Sequence, residues 1–458
     1  FKEYCIQDTI SEREVKLLLQ PYPVPEQERE YWLMDQRIND RGLPISERMV
    51  RGAIDIANQE SKYLKNEMKK ITDLDNPNST QQLSVWLLDQ KVWMPNLQKE
   101  TVRDYLEKYE LPENVEQVLT FRQQSSKSSI KKWEALARAT VEGWLHGAFQ
   151  FAGAQRTQRW AGRIFQPQNL PRPSRKEPFT SDELSLLTWA PNIVIEALFG
   201  NVMQFLSDTI RSAVTAPDGF DLCVADLASI ESRVLGWISG CFRINEIFAS
   251  GKDTYRDFAT VAFNIPYDEV TEEQRFYCKP PELGCGYRLG GKGLVDYAAG
   301  RGVTIDEKEG HRLVGLWRET RPEVCKMWYW LDEAVMAVIN GSGRRQGYGV
   351  EIYRDRSFLF IKLPSGRSIA YYQPMVQDMI PPWEWDKKAE AEAIGQTYTP
   401  KTKPTITYMG MNQSTAGGRK WKRLHTHGGK LTENIVQAIA RDILAWQMHW
   451  LESRQKGI

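Results

Sequence analysis

Val224-Ala225-Asp226-Leu227-Ala228-Ser229-Ile230-Glu231-Ser232-Arg233 is the stretch that decides the fold, because it joins an apolar run to a helix start. Residues 219–226 alternate as a strand that ends at Asp226, and a helix is predicted from Ser229 with Glu231 in its first turn. A carboxylate at such a strand end can bind Mg²⁺, which prefers carboxylates, water and substrate phosphates. A lone Asp at this position is more often a helix cap. The metal interpretation therefore depends on the pentad Ile230-Glu-Ser-Arg-Val234 that follows.

A second cluster follows about forty residues later. It is Arg275-x3-Lys279-x3-Leu283-Gly284-x-Gly286-Tyr287, whose Arg, Lys, Leu and Tyr are four apart and share one helical face. Two cations one turn apart can neutralise successive phosphates, and an aromatic ring at the far end can stack on a base. A basic surface helix with a buried Tyr is the simpler alternative.

Composition limits the class of protein. The 458 residues suggest roughly three domains. With 60 Lys and Arg against 59 Asp and Glu, the net charge is +1, so nucleic-acid binding must use local patches. Six scattered Cys without a CxxC pair, and five His without zinc spacing, indicate reduced thiols in a cytosol. No apolar run approaches the ~18 residues of a membrane span.

The first 173 residues are expected to be mainly helical. A helix over residues 1–20 leads to a Pro-rich linker, Gln20–Glu30, and a mostly helical region follows from Tyr31 to Leu145. Lys127, Lys131 and Lys132 either form a solvated helix face or bind a phosphate backbone. Residues 146–173 form a long structured loop with short strands.

The second half predicts helices, one hairpin and a last helix. The helical pattern continues to about residue 340. Strands Ser357–Lys362 and Arg367–Tyr372 are joined by the turn Pro364–Gly366. Residues 375–425 are irregular and charged, and an amphipathic helix covers about Leu431–Ser453.

The two clusters resemble the A and B motifs of family A (DNA polymerase I-like) DNA polymerases, most of all those of bacteriophages. The family patterns are D-x-S-x-I-E-x-R and R-x3-K-x3-(aromatic)-G-x2-Y, from which this chain departs at Ala228. Three further segments resemble the family in the right order. They are Tyr4-x3-Asp8 of a 3′–5′ exonuclease, the primer–template segment Arg159–Pro171, and the palm helix segment Gly428–Asp442.

The resemblance implies a role for each matching residue. Asp226 is implied as a catalytic, metal-binding carboxylate and Glu231 as the gate that rejects a ribose 2′-OH. The implied nucleotide-binding residues are Glu231, Tyr255, Arg275, Lys279, Leu283 and Tyr287, with Lys279 also catalytic. The implied DNA-binding residues are Arg159, Arg163, Gln168, Asn169, Lys127, Lys131, Lys132, Lys430, Asn434 and Gln437. Tyr4 and Asp8 are implied as the exonuclease remnant.

The resemblance also implies the architecture. We expect a mixed α/β (α+β) right hand with palm, fingers and helical thumb, plus the C-terminal remnant of an RNase H-like 3′–5′ exonuclease domain. The expected ranges are 1–35 for the exonuclease end and linker, 36–135 for the thumb and connecting helices, 136–240 for the first palm part, 241–427 for the fingers with a hairpin insertion, and 428–458 for the second palm part.

Three departures from the family pattern carry consequences. Pro280 and Pro281 follow Lys279, so the helix restarts at Pro280 or kinks there. Leu283 replaces the usual aromatic. The family's His-Asp-Glu hairpin, with the second catalytic Asp, is absent from the 458 residues; Asp332-Glu333 is too early and helical. We expect that carboxylate to lie beyond Ile458, since the chain starts at Phe1 and is interpreted as a piece of a longer one.

The implied function is template-directed DNA synthesis on primer–template DNA with dNTPs and two Mg²⁺ ions, in phage or mobile-element replication. The protein is expected to be a monomer in the cytoplasm of a bacterial host, without a membrane. The alternatives are a non-catalytic primer–template-binding fragment or one half of a split polymerase. A single-subunit RNA polymerase is disfavoured, because the carboxylate of Glu231 should block a 2′-OH.

Overall fold

The computed structural model describes residues 1–125, 130–412 and 418–454. Helices predominate and are combined with sheets, which confirms the mixed α/β class. The chain forms two compact units. Unit 1 contains residues 1–31, 154–159 and 225–458, and unit 2 contains residues 32–153 and 160–224.

The described residues form twenty α-helices. They are α1 Lys2–Leu19, α2 Glu26–Arg41, α3 Glu47–Thr72, α4 Thr80–Asp89, α5 Lys99–Lys108, α6 Glu113–Ser125, α7 Ile130–Ala139, α8 Ser181–Ser185, α9 Asn192–Phe199, α10 Val202–Thr209, α11 Ile230–Ser239, α12 Phe242–Ala249, α13 Thr254–Phe263, α14 Glu272–Tyr277, α15 Lys279–Gly284, α16 Gly291–Ala299, α17 Glu307–Thr320, α18 Pro322–Ile339, α19 Pro382–Ala393 and α20 Gly428–Arg454.

The same residues form eleven strands. They are β1 Leu43–Pro44, β2 Thr140–Val141, β3 Trp144–Leu145, β4 Phe149–Gln150, β5 Ala161–Gly162, β6 Arg345–Gly347, β7 Val350–Asp355, β8 Phe358–Lys362, β9 Ser368–Met379, β10 Lys403–Met411 and β11 Trp421–Thr426.

Unit 2 is built around the long helix α3. Ser46 caps its start by accepting a hydrogen bond from the Met49 amide, and Asp73 ends it in the left-handed conformation. Its apolar face packs with α7 and α10 in one core, and helices α4, α5 and α6 form a second. The sheets β1-β3-β2 and β4-β5 are short, and β4 and β5 are short strands within the loop predicted over residues 146–173.

Unit 1 combines helices α11–α18 and α20 with an antiparallel sheet of order β11-β10-β9-β8-β7-β6. Alternate residues of the sheet are buried, because one face packs against α18 while the other faces outward. The buried apolar residues of the strands include Val350, Ile352, Leu359, Ile361, Ile369, Tyr371 and Ile406. Strands β8 and β9 contain the predicted hairpin, and α20 contains the predicted last helix, which starts three residues earlier than expected.

The predicted strand at 219–226 is wrong. Residues 221–227 have no regular structure, and Val224 is 92% exposed. A strand requires a neighbour that pairs with its backbone groups, and no strand among the described residues pairs with this segment. Its apolar alternation therefore predicts a strand without supplying the partner.

Two further expectations are corrected. Residues 375–425 are not irregular: they contain the end of β9, the helix α19 and the strands β10 and β11. The linker Gln20–Glu30 is shorter than expected, because α2 already starts at Glu26. Among the described residues, no single helix has the length and apolarity of a bilayer span; only the bent pair Asn192–Phe199 and Val202–Ala213, at 84°, passes such a test jointly.

Candidate functional site

The segment that contains Arg275 and Lys279 is a broken helix. Helix α14 starts in a capping box of Thr271 and Gln274 and ends before Cys278, and α15 restarts at Lys279 with Pro280 and Pro281 in its first turn. Proline is tolerated there because the first amides of a helix have no intrahelical partner. Of the two predicted alternatives, a restart or a kink, the structure has the restart, and it begins at Lys279 rather than Pro280. A 3₁₀ turn, Cys285–Tyr287, ends the segment.

Arg275 and Lys279 nevertheless converge on one ring. The Arg275 guanidinium lies 5.2 Å and the Lys279 ammonium 5.9 Å from the ring centre of Tyr255 on α13. The Asp253 carboxylate accepts from Arg275 at 2.7 Å (Nη2) and 3.1 Å (Nε). This hydrogen bond raises the pKa of Arg275, so the guanidinium is a fixed cation. Two cations and an aromatic ring are what an anion with several phosphates would need.

Asp253 has two structural tasks. Its carboxylate caps α13 by accepting from the amides of Tyr255 and Arg256, and it also holds Arg275. Burial acts to raise the pKa of Asp253, but these hydrogen bonds outweigh it and the pKa is lowered. Asp253 is therefore an anion at neutral pH that orients Arg275.

Glu231, Arg159 and Tyr287 form a second cluster. Glu231 Oε1 accepts from Arg159 Nη1 at 3.0 Å, and its Oε2 accepts from the Tyr287 hydroxyl at 3.4 Å. Burial, followed by the charge of Glu231, raises the pKa of Tyr287 well above its usual value. Tyr287 therefore stays protonated and donates to Glu231 over the whole physiological range.

A buried ion pair between Glu282 and Arg321 holds α15 in position. The side chains of Glu282 and Arg321 are 3% and 0% exposed and lie 2.9 Å apart, and Trp317 Nε1 donates to Glu282 at 2.9 Å. Arg321 also lies 3.8 Å from Asp257. Since a buried charge without a partner is costly, this pairing fixes the position of α15, the helix that Lys279 begins.

The start of α20 lies directly against the turn that carries Tyr287. A Cβ on Gly429 would lie 2.4 Å from the Tyr287 carbonyl oxygen, so only glycine allows this approach. Asp332 accepts from the Gly428 amide at 2.6 Å and pairs with Arg288 at 2.6 Å. Asp332 thus fixes both sides of this contact.

Asp226 is exposed and lies outside any strand. The part of the chain that the structure describes contains no group of three or more His, Cys, Asp or Glu side chains arranged to hold a metal. Asp226 therefore offers a single carboxylate. Within the described part of the chain, no side-chain hydrogen bond or ion pair joins Asp226 to another predicted site residue.

The residues predicted on the palm helix differ in accessibility. Asn434 is buried and donates to the Tyr371 hydroxyl at 2.9 Å, which is a structural contact. Lys430 is exposed and pairs with Glu433 at 2.7 Å, and Gln437 donates to the same Glu433 at 3.4 Å. Lys430 and Gln437 remain available to a ligand, whereas Asn434 does not.

The other predicted DNA-binding residues belong to unit 2, except Arg159. Arg163, Gln168, Asn169 and Lys131 are exposed. Lys132 is turned inward: its ammonium donates to the Phe165 carbonyl at 2.8 Å, and burial lowers its pKa.

The remaining predicted residues are Lys127, Leu283, Tyr4 and Asp8. Lys127 lies outside the described residues. Leu283 is exposed at the surface of α15, and Tyr4 and Asp8 are exposed on α1, a helix without buried residues.

Sequence reasoning missed Asp253, Glu282 and Arg321. Asp253 comes directly before Thr254 and Tyr255, and an N-cap Asp was the available signal for its role at α13. Glu282 lies inside the second motif, but its partner Arg321 is 39 residues later by number, so no local pattern connects them.

Comparisons with known proteins show the family to which the chain belongs. The family model described as DNA polymerase family A matches residues 48–338, more than half of the chain. A DNA polymerase of Bacillus phage SP02 is 36% identical over 449 residues, which cover 97% of this chain and 65% of the phage protein. A DNA polymerase I of Mycobacterium bovis is 38% identical over 86 residues, 19% of this chain and 10% of that protein.

A solved structure shares the fold. The POL domain of Pol1 from M. smegmatis, in complex with DNA primer-template and dNTP, matches with a TM-score of 0.54 at 17% identity, covering 98% of this chain and 63% of that chain. This chain spans less than two thirds of the length of the phage polymerase and of the solved domain. By the family match over residues 48–338, the chain belongs to DNA polymerase family A.

Proposed function

We propose that this chain is the polymerase part of a protein that carries out template-directed DNA synthesis. It would transfer a nucleotide from a dNTP to the 3′-OH of a primer on primer–template DNA. The observation that carries the proposal is the convergence of Arg275 and Lys279 on Tyr255 in a chain of this family. The solved POL domain of Pol1 from M. smegmatis, which is in complex with DNA primer-template and dNTP, supports it.

The chemistry needs positioning and charge neutralisation more than covalent catalysis. Arg275, oriented by Asp253, would bind phosphate oxygens as a fork, and Lys279 would neutralise a neighbouring phosphate as a point charge. Both stabilise the negative charge that develops on the leaving pyrophosphate. Glu231 would exclude a ribose 2′-OH, since Arg159 and Tyr287 hold its carboxylate in place.

Mg²⁺ would supply further charge neutralisation and activate the primer hydroxyl. Mg²⁺ is usually bound through one or two carboxylates, water and substrate phosphates. Asp226 would contribute one of these oxygens. The fit is partial, because the described residues provide no group of three candidate ligands around it.

The wider assignment is also part of the proposal. Arg159, Arg163, Gln168, Asn169, Lys131, Lys430 and Gln437 would contact primer–template DNA, and the thumb, palm and fingers would follow the ranges given above. The palm range 136–240 includes parts of both compact units. The protein would act as a monomer in phage or mobile-element replication, in the cytoplasm of a bacterial host.

Primer extension by the protein expressed from its complete reading frame tests the proposal. We expect Asp226→Ala to abolish extension and Lys279→Ala to weaken dNTP binding, with primer–template binding retained in both. Full extension by Asp226→Ala would contradict the proposal. Primer–template binding without extension by the parent protein would favour the non-catalytic binding protein instead.

A further inference from the structure

The segment from Lys401 to Thr432 contains no acidic residue. The protein as a whole has nearly equal numbers of cations and acids, so this segment is a local basic patch. It forms β10 and β11, and β11 is an edge strand of the six-stranded sheet. Its seven cations are Lys401, Lys403, Arg419, Lys420, Lys422, Arg423 and Lys430.

An exposed tryptophan lies in the middle of these cations. Trp421 is 56% exposed and is flanked in sequence by Lys420 and Lys422, both exposed. Trp421 pairs with Met411, and its ring centre lies 6.3 Å from that of Tyr372. The ring is therefore supported on one side and open on the other.

Arg423 shares a face of β11 with Trp421 because side chains two apart point the same way. Its Nη1 donates to the Gln373 carbonyl at 3.1 Å and to the Thr407 hydroxyl at 3.2 Å. These contacts fix the guanidinium beside the ring without cancelling its charge. The site is thus a supported aromatic ring with a fixed cation on the same face of β11, and exposed lysines flank the ring in sequence.

Acids of the same sheet lie far from Trp421. Asp378 pairs with Pro404, seven residues along β10 from Met411, or about 24 Å. Glu351 and Asp355 lie on β7, four strands away or about 19 Å, and Glu351 is paired with Arg344. Both distances exceed the ~10 Å screening length at 0.1 M salt, so the local field is positive.

Protection of a sheet edge is the simpler explanation for these lysines. Charged side chains on an edge strand prevent another strand from pairing with it. That explanation accounts for Lys420 and Lys422. It does not account for Trp421, because an exposed aromatic residue at an edge promotes association.

We propose that β11, together with Arg419 and Lys420 directly before it, binds single-stranded DNA. Arg419, Lys420 and Lys422 contact the phosphates, and an unpaired base stacks on Trp421. Stacking requires a base with a free face, which a duplex does not offer. The site is separate from the residues assigned to nucleotide binding, so it goes beyond the proposed polymerase activity.

Binding of a fluorescein-labelled oligo-dT, measured by anisotropy, tests the site. We expect Trp421→Ala to weaken binding about tenfold, the effect of one lost stack. Lys420→Glu with Lys422→Glu should also lower the slope of log K against log salt by about 1.4, at ~0.7 per lost phosphate contact. Circular dichroism verifies that each variant is folded.

Matched controls separate this site from general charge and aromatic effects. Trp383→Ala removes a tryptophan of similar exposure, 52%, on α19. Lys308→Glu with Lys326→Glu changes the net charge equally at exposed positions of α17 and α18. Both controls should bind oligo-dT as the parent does.

The outcomes also separate this site from the polymerase proposal. Blunt duplex DNA should bind equally to the parent and the Trp421 variant. Unchanged oligo-dT binding by Trp421→Ala would overturn the proposal, whatever extension assays show. Equal loss of duplex and oligo-dT binding by the lysine variant, with no effect of Trp421→Ala, would overturn it as well. A parent that binds oligo-dT through Trp421 but never extends a primer leaves this site standing and removes the polymerase activity.

Discussion

Glu231 holds its position through two partners, and this defines what its removal should do. Without the carboxylate, a ribose 2′-OH would meet neither a steric block nor an unfavourable polar contact. Such polar mismatches are worth about 1–3 kcal/mol, or roughly 5- to 150-fold in relative rate. We therefore expect Glu231→Ala to raise ribonucleotide over deoxynucleotide incorporation by that factor, measured by single-nucleotide primer extension. An unchanged ratio of the two rates would remove the gate role.

Asp253 is both the N-cap of α13 and the partner of Arg275, and substitutions can separate these two roles. Asn is as good an N-cap as Asp, so Asp253→Asn keeps the cap of α13 but loses the charge that orients Arg275. We expect dNTP affinity to fall about fivefold, while stability changes by no more than ~1 kcal/mol because the pair is about one third exposed. Titration of dNTP onto a chain-terminated primer–template measures the affinity.

A rise in dNTP affinity would contradict the proposed role of Asp253 in orienting Arg275. If Asp253 instead competes with phosphates for Arg275, Asp253→Asn would bind dNTP more tightly than the parent. Asp253→Ala serves as the control, because it removes the cap as well. Only that variant should lose about 1 kcal/mol or more of additional stability.

Single residues were predictable where a local motif contains them. Arg275, Lys279 and Tyr287 follow from spacing and resemblance, and the structure places the first two on one ring. Partners were not predictable, because Asp253 and Arg321 lie far from their motifs in sequence. Only the folded chain brings them within hydrogen-bonding distance.

At the scale of elements, the contact between α20 and the Tyr287 turn depends on a missing side chain. A Cβ at Gly429 would lie 2.4 Å from a backbone oxygen, which cannot move as a flexible side chain does. We expect Gly429→Ala to lower the free energy of unfolding by about 1–3 kcal/mol through overpacking. Urea denaturation measures it.

Gly315 in α17 offers the matched control. A Cβ there would meet nothing within 4 Å. Gly315→Ala should therefore raise stability by up to about 1 kcal/mol through helix propensity. The same sign for both substitutions would contradict the close contact at Gly429.

Helices were predicted better than strands, for a physical reason. Helix α11 is determined by residues within a turn of Glu231, since its hydrogen bonds are local. Residues 219–226 have strand-like alternation but no partner, and β10 lies in a segment whose Thr, Met and Gly residues hide the alternation. Strand formation depends on distant neighbours that a sequence pattern does not reveal.

At the scale of the whole molecule, unit 1 is assembled from three separate stretches of chain. Arg441 on α20 joins all three. It binds Glu28 near the start at 2.6 and 2.8 Å, and donates to the Gln158 carbonyl at 3.2 Å. Its side chain is 1% exposed, so no water replaces these partners if they are lost.

This role of Arg441 leads to a prediction about the whole fold. Arg441→Met should lower the free energy of unfolding by about 3–5 kcal/mol, because Glu28 would be left nearly buried without a partner. It should also speed proteolysis between α1 and α2, which mass spectrometry can map.

The double variant Glu28→Leu with Arg441→Met should recover much of the loss, since no charge then lacks a partner. Arg138→Met, in an exposed pair with Glu134, should cost no more than ~1 kcal/mol. Additive losses in the double variant would show that Arg441 acts through its other contacts rather than through Glu28.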